Sequence, residues 1–388
     1  MHTMARGALQ RLGLLALGWA VALPLGEAAL RVFDIGPRLL PIESSLLRLS
    51  RNPRLRYEWK PGAHLNGVQI NSDGMRDRAR DRAKKAGLLR IACVGDSICA
   101  GYSVASQASF PSQLESLSNG VLACDGCVEA LNFGVPGYDL EQIVESLDSS
   151  ALAFRPDLVI YGYCLNDPQA FSLELAQLQS RLDPAARSYV DGVWAESLRP
   201  LRHSRLLLLT RWFMNATFFP ASPRSGYVSR RADPQVRAYD AGRLAGYLRW
   251  LHEDADSWKT VRENLGRMER LTRRHDIPVL IVIFPLLSEL EHYTLDDVHA
   301  RLRAEIESRS LSVLDLTQPF RNLVRLGGPS LEVLHDPIHP GIAGHRLAAW
   351  ALLEKLSDMD LVHVGSAELL GGATAMTAVD SACLAAIR

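Results

Sequence analysis

The chain of 388 residues carries 43 Lys+Arg against 43 Asp+Glu, a formal net charge of zero, and 47% of it is hydrophobic. That length and apolar content suit one large domain or two modest ones with a packed core, and exclude wholesale disorder. The balanced charge lacks the basic footprint of a general nucleic-acid binder, so no nucleic-acid partner is expected.

Arg6 and Arg11 precede an almost wholly apolar run, Leu12 to Leu25; Glu27 interrupts it, and Ala28-Ala29-Leu30 follows before Arg31. A full membrane span needs about 20 apolar residues, so the run is marginal. A basic start followed by an apolar stretch also describes a secretory signal. With no small-x-small cleavage site in view, residues 1–31 are expected to form an uncleaved signal anchor, with Leu12–Leu30 as a membrane-anchor helix rather than a buried core helix. The remainder is then expected outside the cytoplasm, periplasmic or extracellular.

Residues 32–87 read as a connector. Pro37, Pro41, Pro53 and Pro61 break any long helix. Asn71-Ser72-Asp73-Gly74 reads as a turn, and Arg76 to Lys85 is strongly charged.

From about residue 88 the pattern becomes alternating strands and helices. Leu88–Val94, Val128–Phe133, Leu158–Tyr163, Pro278–Phe284 and Ser312–Leu316 are strand-length apolar runs. Gln107–Leu117, Leu140–Ala153, Val298–Ser308 and Ile342–Leu356 are helix-like between or after them. Such alternation predicts an α/β fold with a mostly parallel sheet covered on both faces, whose ligands bind beyond the carboxyl ends of the strands. Residues 168–260 interrupt the alternation as an insertion. Within it Ser204–Pro220 joins Leu206–Leu209 to Trp212, Phe213, Phe218 and Phe219, with Arg202, Arg205 and Arg211 alongside. That stretch reads as an ordinary packed helix, or as a segment resting on a membrane or capping an acyl pocket. His252, Glu253, Asp254 and Asp256 read as a solvated acidic face rather than a metal site. Residues 359–388 lack strong periodicity and are expected to be poorly ordered.

Cys93 and Cys164 fall in strand-like runs and read as small buried hydrophobes. Cys124 and Cys127 are the only close pair. One pair cannot complete a four-ligand zinc site, which leaves a loop disulfide, if the compartment is oxidising, or two free thiols.

Four stretches carry chemistry. Gly95-Asp96-Ser97-Ile98 presents a serine just after a strand; Asn132-Phe133-Gly134-Val135-Pro136-Gly137 and Asn166-Asp167 follow two further strands; Asp336-Pro337-Ile338-His339-Pro340 pairs a carboxylate with a histidine three residues on. A serine hydroxyl needs a base, for which His339 is the candidate, and an imidazole needs an orienting acceptor, for which Asp336 is the candidate. The N–H of Gly137, the carboxamide of Asn166 and the N–H of Ser97 itself are candidate donors to an oxyanion. No cofactor and no metal are required. Asp96 is expected to fix the turn before the serine, Cys99 to pack, and His345 to be structural; His335 is the rival base.

On these residues the chain resembles the GDSL, or SGNH, hydrolases. Gly95-Asp96-Ser97 matches their first block, Gly137 the second, Asn166-Asp167 the third and Asp336-Pro337-Ile338-His339 the fifth, over roughly residues 88–358. Gly134 competes with Gly137, and the spacing from Asn132 favours Gly137. Cys164 stands where the family often has glycine, two residues before Asn166. The connector stretch Asn71-Ser72-Asp73-Gly74-Met75-Arg76 is similar to the membrane-anchored bacterial branch. The resemblance implies a flavodoxin-like three-layer α/β/α sandwich with a five-stranded mostly parallel sheet. It also implies a serine esterase that works through an acyl-enzyme on an acetylated glycan, a lipid ester or another small ester. The rivals are an O-acyltransferase of cell-surface polysaccharide and a non-catalytic glycan-binding or assembly protein on the same fold.

Overall fold

A computed structural model describes residues 18–19, 21–33, 46–65, 67–102, 104–124, 126–169, 204, 206, 234–288, 290–333, 336–362 and 377–387. Its centre is a five-stranded sheet of β5 (Leu89–Gly95), β6 (Val128–Asn132), β7 (Leu158–Cys164), β8 (Val279–Phe284) and β9 (Ser312–Asp315), in the order β6-β5-β7-β8-β9. Every pairing is parallel, with Cys93 beside Asn132 and Gly95 beside Gly162. β7 and β8 are buried along their whole length, as strands covered on both faces must be.

The strand order dictates the layers. Helix α3 (Phe110–Val121) joins β5 to β6 in one direction, and α4 (Leu140–Ser149) joins β6 to β7 in the other. Right-handed crossovers running in opposite directions put those helices on opposite faces. α3 packs with α9 (Ile342–Asp358), and α4 packs with α6 (Ala255–Arg274). The reversal of winding lies between β5 and β7, which is where an open parallel sheet leaves its crevice.

Three stretches depart from the sequence reading. First, α5 (Pro234–Glu253) and α6 fill the end of the supposed insertion, and residues 170–203 and most of 205–233 lie outside the described residues. Asp254 caps α6 by accepting from the Ser257 N–H at 3.2 Å. His252 is not on a solvated face: it is fully buried, its Nδ1 is 2.7 Å from the Leu248 carbonyl, and its Nε2 is 2.9 Å from the Tyr163 hydroxyl. Secondly, residues 46–87 are packed on the domain. Strand β1 (Leu47–Leu49) pairs with β2 (Tyr57–Trp59), and β3 (His64–Leu65) with β4 (Val68–Gln69). The Trp59 indole donates to the Gly134 carbonyl at 2.8 Å and the Tyr57 hydroxyl to the Pro136 carbonyl at 3.0 Å. Thirdly, part of the tail is ordered as α10 (Ala378–Ile387), because Asp380 accepts from Arg346 at 2.6 Å and from the Trp350 indole at 2.8 Å.

The expected membrane-anchor helix is not found. Residues 21–32 are helical, and among the described residues no helix is long and apolar enough to cross a membrane. Residues 1–17 and 20 lie outside the described ones. The interruption noticed at Glu27 is physical: its carboxylate pairs with Arg31 at 2.7 Å and accepts from the Ser204 hydroxyl at 2.8 Å and the Leu206 N–H at 3.0 Å.

Candidate active site

The site is built at the carboxyl end of β5. The strand ends at Gly95, and Asp96 caps the four-residue helix α2 (Ser97–Ala100) by accepting from the Ile98 N–H at 2.9 Å. Asp96 therefore fixes the turn, as its sequence position suggests. Its other carboxyl oxygen lies 3.1 Å from the Ser97 hydroxyl oxygen, a contact the sequence reading had not assigned. The far end of α2 is held by Arg76, a buried guanidinium that donates to the carbonyls of Ala100 at 2.8 Å, Val104 at 2.5 Å and Gly101. Arg76 belongs to the turn sequence that opens at Asn71, whose Oδ1 accepts from the N–H groups of Asp73 and Met75.

The expected base and its acid come from the opposite end of the chain. Asp336–Pro340 is a short strand, β11, paired antiparallel with β10 (Glu332–Val333). The Pro337 carbonyl accepts from the Leu287 N–H at 2.7 Å, which ties this strand to the segment after β8. His339 Nδ1 stands 2.7 Å from Asp336 Oδ2, and His339 Nε2 stands 2.8 Å from Ser97 Oγ across 242 positions of sequence. With Nδ1–H donated to the carboxylate, Nε2 is the acceptor of the serine hydroxyl. The Tyr102 ring packs on the His339 imidazole at 4.7 Å between centroids, a neighbour that no motif in the sequence marks. His335, the rival base, lies outside the described residues.

Burial alone would raise the Asp336 carboxyl, but the His339 charge and hydrogen bond, with the N–H groups of Ile338 and His339, hold it down to about 2. The ordinary value in an unfolded chain is about 3.9. The folded value is the lower one, so the stabilisation is complete above about pH 4 and is lost as pH falls through about 2. It amounts to about 2–3 kcal/mol. Denaturant unfolding across that window is expected to show an acid slope that Asp336→Asn lacks; parallel slopes in the two proteins would refute the assignment.

The two glycines after β6 have different duties. A Cβ at Gly134 would collide with the Cys99–Ala100 peptide, and the Gly134 N–H donates to Asn132 Oδ1 at 3.0 Å. Gly134 is thus consumed in seating α2. Gly137 has φ +76, a left-handed turn position that favours glycine, and its N–H makes no hydrogen bond among the described residues. Asn166 lies in the turn after β7, half-buried, and its side-chain Oδ1 is buried without a partner. Asp167 behind it is tied to the strand through one oxygen: Oδ2 accepts from the Tyr161 hydroxyl at 2.6 Å and the Cys164 N–H at 3.0 Å, while Oδ1 is buried without a partner among the described residues. Burial pushes the Asp167 carboxyl well above the usual range. The structure thus joins Ser97, His339 and Asp336 by direct contacts, and sets Gly137 and Asn166 on the loops after the two strands that flank β5.

Cys99 and Cys164 are buried beside this centre, and burial raises both thiols well above their ordinary value, so they pack as small hydrophobes. His345 is fully buried and its Nδ1 accepts from the Phe110 N–H at 3.2 Å. Cys124 and Cys127 form a disulfide.

The family model of the GDSL-like lipase/acylhydrolases matches residues 93–347. The chain belongs to that family. It is accordingly a hydrolase acting on ester bonds. Among solved structures it is similar to a lipase/acylhydrolase from Enterococcus faecalis, at 15% identity and a TM-score of 0.39, covering 70% of this chain and 97% of that one. It is also similar to an alpha/beta hydrolase from the metagenome of Lake Arreo, at 13% identity and a TM-score of 0.39, covering 71% and 96%. A catalytic mutant of an acetylxylan esterase from Geobacillus stearothermophilus matches at 15% identity and a TM-score of 0.36, covering 69% and 93%. No curated protein matches the chain.

Proposed function

We propose that this GDSL-family hydrolase is a serine esterase that works through an acyl-enzyme. Ser97 is the nucleophile, His339 the general base and then acid, and Asp336 the group that holds the imidazole tautomer. The N–H groups of Ser97 and Gly137 and the carboxamide of Asn166 receive the oxyanion. The observation that carries the reading is the unbroken chain Asp336 Oδ2 to His339 Nδ1 at 2.7 Å and His339 Nε2 to Ser97 Oγ at 2.8 Å. In acylation the serine proton passes to Nε2 while Oγ bonds to the acyl carbon; the same proton then leaves with the alcohol. Water repeats the sequence to free the acid. An intact relay speaks against a non-catalytic assembly protein.

The substrate we propose is an acetylated glycan or a lipid ester, met by a domain outside the cytoplasm. The Cys124–Cys127 bridge supports an oxidising compartment. The test is an ester panel of short and long p-nitrophenyl esters and acetyl-xylan, run with and without a glycan hydroxyl as acceptor. A fluorophosphonate probe should label the wild type and spare Ser97→Ala. Equal labelling of both would remove Ser97 from its role, and acyl transfer outrunning hydrolysis would favour the O-acyltransferase.

A further inference from the structure

The Ser97 oxygen has more neighbours than it has protons. Its single O–H is taken by His339 Nε2 at 2.8 Å, because the other ring nitrogen gives its proton to Asp336. A carboxyl oxygen of Asp96 nevertheless lies 3.1 Å from the same Oγ. If Asp96 were ionised, two lone-pair-bearing oxygens would face each other with nothing between them, or the carboxylate would draw the serine proton away from His339. Either arrangement opposes attack.

We propose that Asp96 is protonated in the resting enzyme and donates its own O–H to Ser97 Oγ, as a third partner of the nucleophile beside His339 and Asp336. The proposal rests on the reading of Ser97 as nucleophile. The surroundings favour a neutral acid. Asp96 is 2% exposed, and its other oxygen is engaged by the Ile98 N–H. The titratable groups near enough to interact electrostatically with it are His339 on β11, Asp167, Tyr161 and Cys164 on β7 and its turn, Cys99 on α2 and Tyr57 on β2. His339 is the one cation that set can supply, and among the described residues no Lys or Arg side chain hydrogen-bonds Asp96 or Asp167. Two buried carboxylates without a paired cation do not both ionise at neutral pH. Burial raises the Asp96 carboxyl, and the Ile98 N–H, the His339 charge and the hydroxyl and N–H of Ser97 only partly offset it.

The chemical role follows from the direction of that bond. As the serine proton moves to His339 Nε2, negative charge grows on Oγ before the bond to the acyl carbon is complete. A donor already aimed at Oγ strengthens as the charge develops, and no proton leaves Asp96. When the acyl-enzyme is cleaved, Oγ is the leaving group and the same donor steadies it again.

The test is the rate of fluorophosphonate labelling of the full chain against pH, a reaction in which Oγ bonds to phosphorus, fluoride leaves and the serine proton goes to His339. Asp96→Ala removes the donor and should slow labelling about ten- to a hundredfold. Asparagine keeps the cap on Ile98 and supplies an N–H donor that cannot ionise. Asp96→Asn should therefore recover about tenfold of that loss. It should also hold its rate at alkaline pH, where the wild type declines as Asp96 ionises. Thermal melts confirm that each variant is folded. If Asp96→Asn is as slow as Asp96→Ala, or keeps the wild-type alkaline decline, Asp96 is not a donor and the proposal falls. Labelling of Ser97→Ala would be a separate failure, that of the nucleophile itself.

Discussion

Replacing His339 with alanine is expected to lower kcat/KM for a short-chain ester by on the order of a hundred-thousandfold, because members of a triad act as a unit. Among the described residues, neither His345 nor His252 can step in. His345 is pulled down to about 3 by burial and then by the nearby His339 and Arg76 charges, and its Nδ1 is already engaged by Phe110. His252 is pulled down to about 4, chiefly by burial, and is engaged by Tyr163 and Leu248. The fold should survive, since His339 lies at the edge strand β11 and its side chain keeps 17% exposure. Asp336→Ala should cost less, as the imidazole would lose its orientation but remain present. The comparison that decides is His335→Ala made alongside. If that variant proved the more damaging, the base would have to be reassigned.

The strands of the sheet were legible because each is a short, nearly continuous apolar run, and a strand buried on both faces leaves no other pattern. Their order was not legible. Nothing in Leu89–Gly95 marks it as the strand between β6 and β7; that follows from pairings such as Ile91 with both Ala130 and Leu158. The contact among Ser97, His339 and Asp336 was legible through spacing, since Asp336 and His339 meet within one strand, and through the position of Ser97 just past β5. Contacts favour Gly137 over Gly134, as the spacing does, since Gly134 spends its N–H on Asn132 and Gly137 makes no such bond among the described residues.

The errors share a cause. Prolines and charges between residues 32 and 87 describe a linker when read locally. Tyr57 and Trp59 instead brace the Gly134–Tyr138 loop from about eighty positions away, as when the Tyr138 hydroxyl donates to the Tyr57 carbonyl at 2.6 Å. The charged run likewise hides an interior: Arg80 forks onto Asp77 with two 2.9 Å bonds, and both side chains are almost fully buried. Helix α6 did carry a signal, Val261, Leu265 and Met268 along one buried face, but a strongly charged outer face diluted it. Local pattern reports what a segment could bury, and only the partner decides whether it does.

Asn166→Ala is expected to lower kcat by roughly a hundred- to a thousandfold with little change in KM. The carboxamide makes no side-chain hydrogen bond among the described residues, and its Oδ1 is buried without a partner. A structural asparagine would be spending those groups on its own turn, and the turn is closed without them: Asp167 and Gln169 N–H groups donate to the carbonyls of Cys164 and Asn166 at 2.9 and 3.0 Å. A donor held in reserve is worth most when charge appears on the substrate, so its loss should fall on the transition state rather than on binding. Fluorophosphonate labelling should slow and persist, because Ser97 and His339 stay in contact. Unfolding free energy should shift little, since no bond inside the protein is broken. Intact turnover with a clear loss of stability would make Asn166 a turn residue and leave the oxyanion to the N–H groups of Ser97 and Gly137 alone.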